Sequence, residues 1–132
     1  MPSDSLRLVC ELERASQSTP LLLSFTPRWR SLDRVDAAFL VLDADGDVAA
    51  PLRIDVRSEG TLISHGGRVP PRSEGLMARP GRSRIDVTDL VRSWRSSNGT
   101  HRLAVSTQDG SPLPLAWGTT GALPPRLEVY GR

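Results

Sequence analysis

Few residues in this chain have the chemistry for catalysis or metal binding, and their spacing serves neither. His65 and His101 are the two histidines and Cys10 the one cysteine. A zinc site would need, beside the two histidines, a third ligand from Cys10, Asp or Glu brought close by the fold. No short ligand spacing exists, and histidines at strand edges or in solvent are the simpler reading. No Gly-x-Ser-x-Gly elbow or similar nucleophile signature occurs. A phosphate cradle ending in Gly-Lys-Ser is impossible, because the chain has no lysine. These residue types predict a protein that is not an enzyme, with no cofactor and no metal. The run Asp43-Ala44-Asp45-Gly46-Asp47 offers the carboxylates that calcium wants. An EF-hand counted from Asp43 nevertheless puts Val48 at the sixth position and Ile54 at the twelfth, where Gly and Glu are needed. A solvated acidic hairpin is the preferred reading, with a calcium site of another kind as its alternative.

The remaining candidates are basic or aromatic. All 17 basic residues are arginine, against 15 Asp and Glu, so the formal charge is only +2. The high pI, near 9.4, reflects missing lysine more than a basic protein, so pI alone is no ground for nucleic acid, an unlikely partner here. Five arginines cluster in one stretch, Arg68, Arg72, Arg79, Arg82 and Arg84, with Glu74 as their one acid. Their forked donors suit oxyanions, whether on a protein surface or a sulfated glycan. The alternative is a solvated loop. Trp29 and Trp117 lie in Pro-containing or Arg-flanked segments. They could stack on sugar rings, but core or interface positions are favoured. Asn98-Gly99-Thr100 is formally a glycosylation sequon, though a tight turn at Asn98-Gly99 accounts for it.

The elements that must position these residues are mostly strands. Leu6, Leu8, Cys10 and Leu12 alternate with polar neighbours and read as one half-buried strand. Leu21 to Thr26 follows between two prolines. Residues 37–42 are apolar on both faces, as in a central strand. Leu52, Ile54 and Val56 alternate cleanly with Arg53, Asp55 and Arg57. Thr61 to Ser64 is a weaker candidate, and Arg84–Val87, Arg102–Thr107 and Arg126–Tyr130 complete the set. One short helix is predicted over about 88–95, with Thr88 as its cap, Asp89 at its positive end, and Leu90, Val91 and Trp94 on one face. Trp94 is expected to plug an open end of the fold. Asp45-Gly46 reads as a turn, and 65–84 as a long Gly/Pro/Arg-rich loop. The expected architecture is a single domain over 1–132, an all-β antiparallel jelly-roll-like β-sandwich with one short helix.

Several of these features occur together in a recognisable order. A strand ends in Ile85-Asp86-Val87-Thr88, and a short helix follows with Leu90, Val91 and Trp94. An Asn98-Gly99 turn leads into the next strand, and the chain closes on Pro125-x-Leu127-x-Val129. This resembles the DNRLRE domain and the related prodomain of the transforming growth factor family. Thr100, His101 and Arg102 stand where a Gly-Leu pair commonly follows the turn. The resemblance implies a β-sandwich that serves as a structural or glycan-binding module, with Asp86, Thr88, Trp94, Asn98 and Gly99 as structural positions.

The start of the chain lacks the basic and long apolar regions of a signal peptide. It is therefore expected in the cytoplasm unless it is an excised module or is exported without a leader. The functional expectation is a non-catalytic module for protein assembly or protein–protein contact. Its partner would be a copy of itself or another subunit. The alternative is a carbohydrate-binding module of a secreted or cell-surface protein, with Trp29, Trp117 and the 68–84 arginines as candidate contacts.

Overall fold

A computed structural model describes residues 5–16, 20–44, 52–59, 72–77, 81–95, 102–108, 110 and 124–132. Among these described residues, nine strands form two antiparallel sheets. Strands β1 (Leu6–Cys10), β4 (Val35–Ala44), β7 (Gly81–Asp86) and β9 (Arg126–Gly131) make a four-stranded sheet in the order β1-β9-β4-β7. Strands β2 (Leu12–Ser16), β3 (Leu21–Phe25), β5 (Leu52–Glu59), β6 (Arg72–Met77) and β8 (Arg102–Thr107) make a five-stranded sheet in the order β2-β3-β8-β5-β6. The helix α1 spans Thr88–Arg95, and a 3-10 turn covers Arg28–Ser31. The protein is an all-β sandwich, as its period-two alternation predicts. Leu21, Leu23 and Phe25, Ile54 and Val56, and Leu103 and Val105 point inward from the larger sheet. They meet Ala38, Leu40, Leu42, Ile85, Leu127 and Val129 from the smaller one in a single apolar cluster.

Trp29 and Trp94 close one end of this cluster. Trp29 on the 3-10 turn and Trp94 on α1 are both buried, with ring centroids 5.2 Å apart and planes tilted by 42°. The Trp94 indole Nε1 donates to Ser58 Oγ at 2.8 Å, which satisfies its one polar atom inside the core. Helix α1 buries Leu90, Val91 and Trp94 on the predicted face. It is tied to the start of β4 by Arg92, whose Nε donates to the Val35 carbonyl at 2.9 Å and whose Nη2 donates to that of Asp36 at 3.2 Å. A register shift between Val35 and Ala37 interrupts the β4–β9 ladder there, so Arg92 supplies donors at an irregularity.

Three expectations need correction. The alternation of Leu6, Leu8, Cys10 and Leu12 is not one strand. The chain changes sheet at Glu11, whose carbonyl accepts the Thr26 N–H at 2.9 Å, so β1 pairs β9 and β2 pairs β3. Periodicity carries through the corner because both short strands turn apolar residues toward the same core. The 65–84 segment is not one loop, since it contains β6 and β7. Gly75 on β6 hides the pattern: a Cβ there would come within 2.7 Å of Ile85 in the facing sheet, so the place of a core side chain is already filled. Thr88 does not cap its own helix. Asp86 Oδ1 accepts the Thr88 N–H at 2.9 Å and its hydroxyl at 2.5 Å, and Thr88 Oγ1 accepts the Ala38 N–H at 3.0 Å. Asp86 thus holds the helix start and Thr88 fastens it to β4. The Thr61–Ser64 strand and the Asp45-Gly46 and Asn98-Gly99 turns lie outside the described residues.

Replacing Trp94 by Ala should lower unfolding stability by about 3–5 kcal/mol, the usual range for a buried aromatic truncated in a core. Denaturant unfolding measures this directly. Trp94→Phe should fall between the two, because it restores most of the volume but leaves Ser58 without its donor.

Candidate functional site

The outer face of the four-stranded sheet gathers side chains from four strands. Residues directly opposite one another in an antiparallel pair share a face. The register therefore sets Val9, Glu128, Phe39 and Asp86 in one row across β1, β9, β4 and β7. The adjacent rows hold Arg7, Tyr130 and Ala37, and Arg126, Val41 and Arg84. Glu128 is the hub, only 5% exposed although it points away from the core. Arg7 Nη2 donates to its Oε2 at 2.7 Å, and Arg84 Nη2 to its Oε1 at 3.1 Å. The Arg84 guanidinium also lies 4.3 Å from the centroid of the Phe39 ring, and its Nη2 reaches the Tyr130 hydroxyl at 3.4 Å. Phe39 and Tyr130 meet edge to face at 6.1 Å. Val41 is fully buried on this outer face, between Arg84 and Arg126 in the register.

The electrostatics follow from this geometry. Burial alone would raise the Glu128 pKa. The hydrogen bond and charge of Arg7, with the charges of Arg84 and Arg126, outweigh burial and hold the carboxyl below its ordinary value. Glu128 therefore stays ionised at neutral pH and serves as an anchor for arginines, not as a proton donor. The hydrogen bond to Glu128, then its charge, raises the Arg7 pKa in turn. Arg126 has its Nη1 buried without a hydrogen-bond partner. One carboxylate thus stands amid three guanidinium groups and two half-exposed aromatic rings.

The structure distributes the sequence-predicted residues differently from expectation. Trp29 is not a surface platform: it is fully buried against Trp94 and presents no face to a ligand. The arginines of 68–84 do not form one basic loop. Arg72 lies on β6 opposite Arg57, Arg82 pairs with Asp43 at 3.7 Å, and Arg84 belongs to the Glu128 cluster. Arg68, Arg79, Trp117, Asn98, Gly99, Asp45, Asp47, His65 and His101 lie outside the described residues. Among those described, no three His, Cys, Asp or Glu side chains gather as metal ligands, and no helix is long and apolar enough to cross a membrane. Cys10 is buried, and desolvation raises its thiol pKa despite opposing hydrogen bonds from the Arg28 and Trp29 backbone. Sequence reading missed Arg7, Phe39, Arg126, Glu128 and Tyr130. The available signal was the outward pair Glu128 and Tyr130 on β9. No family model matches this chain, and no curated protein matches it.

Two outcomes are expected from these environments. The depressed Glu128 pKa gives stability that is complete above about pH 4.3, the unfolded value for Glu. That stability is lost as pH falls through the lower folded value. Urea melts on a descending pH series should therefore show a steeper loss for the wild type than for Glu128→Gln, which lacks this proton linkage. The Cys10 thiol should resist a soluble disulfide reagent in the native protein and react fully once denaturant is added. Absorbance of the released thiolate follows both states.

Proposed function

We propose that this chain is a non-catalytic β-sandwich module, related to DNRLRE-type domains, that acts through protein–protein contact. The observation that carries the reading is the Glu128 cluster. Phe39 and Tyr130 are half-exposed, and Arg84 is held against both and against Glu128. Tyr, Phe and Arg are the residue types enriched where proteins meet. Here hydrogen bonds and ring contacts already fix their rotamers, so little side-chain entropy remains to be lost on docking. The face is broad and built on strands, which suits a second protein surface better than a small molecule. The glycan-binding alternative loses Trp29, one of the two tryptophans on which it rests.

Light scattering behind a sizing column tests this reading. The wild type should give a mass above the 14.4 kDa of one chain, rising with concentration. Phe39→Ala with Tyr130→Ala should return it toward one chain without unfolding it, since neither ring is in the core cluster. A wild type that stays at one chain mass at every concentration, and that chemical cross-linking in cells joins to no protein, would overturn the proposal.

A further inference from the structure

The edge of a sheet presents a row of unpaired backbone N–H and C=O groups, and folded chains ordinarily protect it with charges, a proline or a bulge. Among the described residues the two sheets have four edge strands, β1 and β7 on one and β2 and β6 on the other. Three of them are protected. Strand β7 carries Arg82, Arg84 and Asp86, and β6 carries Arg72 and Glu74. Strand β2 carries Glu13 and Arg14, with a register shift between Leu12 and Arg14. Strand β1 is different. It reads Leu-Arg-Leu-Val-Cys, has no proline, and pairs β9 in unbroken register. Its one charged residue, Arg7, reaches over the sheet to Glu128 on β9, away from the edge.

The side chains of β1 share this character. Leu6 is 61% exposed, the one large apolar side chain so placed among the described residues. Leu8 is half-buried against the core cluster, and Cys10 lies within it. By strand alternation Leu6, Leu8 and Cys10 turn toward the core side, and Arg7 and Val9 toward the outer face. Among the described residues no strand lies beyond β1. An extended strand added there would complete its backbone hydrogen bonds and cover Leu6.

We propose that β1 pairs antiparallel with β1 of a second copy of this chain, about a two-fold axis through Leu8, so that the two four-stranded sheets join edge to edge. The surface is distinct from the outer face around Glu128. An axis normal to the sheet sets each residue opposite one that points to the same side, so it must pass through a residue. Centred on Arg7, it would oppose two arginines, which destabilises a pair of strands. Centred on Val9, it would run the pairing into Glu11, where the chain leaves for the other sheet. Centred on Leu8, it pairs all five residues of β1. Leu6 then lies beside the partner's Cys10, and Arg7 beside the partner's Val9. Each Arg7 keeps its own Glu128 and directs its charge away from the seam. Such a contact is the same on both copies and closes at two.

Light scattering and disulfide trapping on the full chain test the pairing. Leu6→Lys adds a charge to the edge at an exposed position, and should weaken the association at least about tenfold. Trapping uses single cysteines in a Cys10→Ala background. Leu8→Cys places its thiol on the axis, and mild oxidation should link it into a covalent dimer. Leu6→Cys would lie four residues from its counterpart, roughly 13 Å along the strand. That is beyond the reach of a disulfide, so this variant should remain a single chain. Fluorescence of the buried tryptophans confirms that each variant is folded. Phe39→Ala with Tyr130→Ala, which removes the outer-face contact, should leave linking at Leu8→Cys intact. Linking at Leu6→Cys as fast as at Leu8→Cys would overturn the register. A folded Leu8→Cys variant that does not link, with a mass unchanged by Leu6→Lys at every concentration, would overturn the pairing and leave the outer face as it stands.

Discussion

Contact between the Trp29 and Trp94 rings is the constraint on which the other parts of the sandwich depend. Two twisted sheets splay apart at their ends, and backbone alone cannot fill the gap without burying unpaired polar groups. Here the gap is filled by two large rings from unrelated connections, the turn after β3 and the helix after β7. Trp94 also reaches across to Ser58 on β5. Two connections between the sheets and one strand of the larger sheet therefore share one contact. Helix α1 can occupy that position only because Asp86 and Thr88 set its start against Ala38, and Arg92 fixes its middle to Val35 and Asp36. The same residues place the first half of β4, and through β4 the rows of the outer face.

That outer face shows how a strand can carry apolar residues on both sides. Ala38, Leu40 and Leu42 of β4 build the core, while Phe39 and Val41 face the other way. The Arg84 guanidinium lies over the Phe39 ring, and Val41 is buried between Arg84 and Arg126 in the register. Charges drawn so close to apolar surface need a counter-charge, and Glu128 supplies it between Arg7 and Arg84. Removing a buried carboxylate of this kind leaves its partners uncompensated. The cluster is thus part of the packing of β4 as well as a surface. This makes it more rigid than an ordinary exposed sheet face.

How much of this was legible in the sequence depended on whether the information was local. Strand β4 and helix α1 were legible because their burial follows one period: apolar residues on both faces of 37–42, and Leu90, Val91 and Trp94 on one helical face. The corner at Glu11 was not, because a period of two records which way a side chain points and not which sheet its strand joins. Strands β6 and β7 were obscured by economy of core residues: Gly75 yields its space to Ile85, and Ser83 takes an inward place on β7. The Glu128 cluster was the least legible, since Arg7 and Glu128 are 121 residues apart and only the pairing of β1 with β9 joins them. Counting arginines pointed to 68–84. The fold instead splits those it describes between two sheets and recruits Arg7 and Arg126 from the ends of the chain.

The symmetry of the proposed contact constrains what the module can build. A single self-complementary face, such as the one around Glu128, can pair two copies about a two-fold axis and then stop. Arginines on the outer face are committed to an internal carboxylate and two rings. Their geometry is therefore set before a partner arrives, and little ordering remains to be lost on docking.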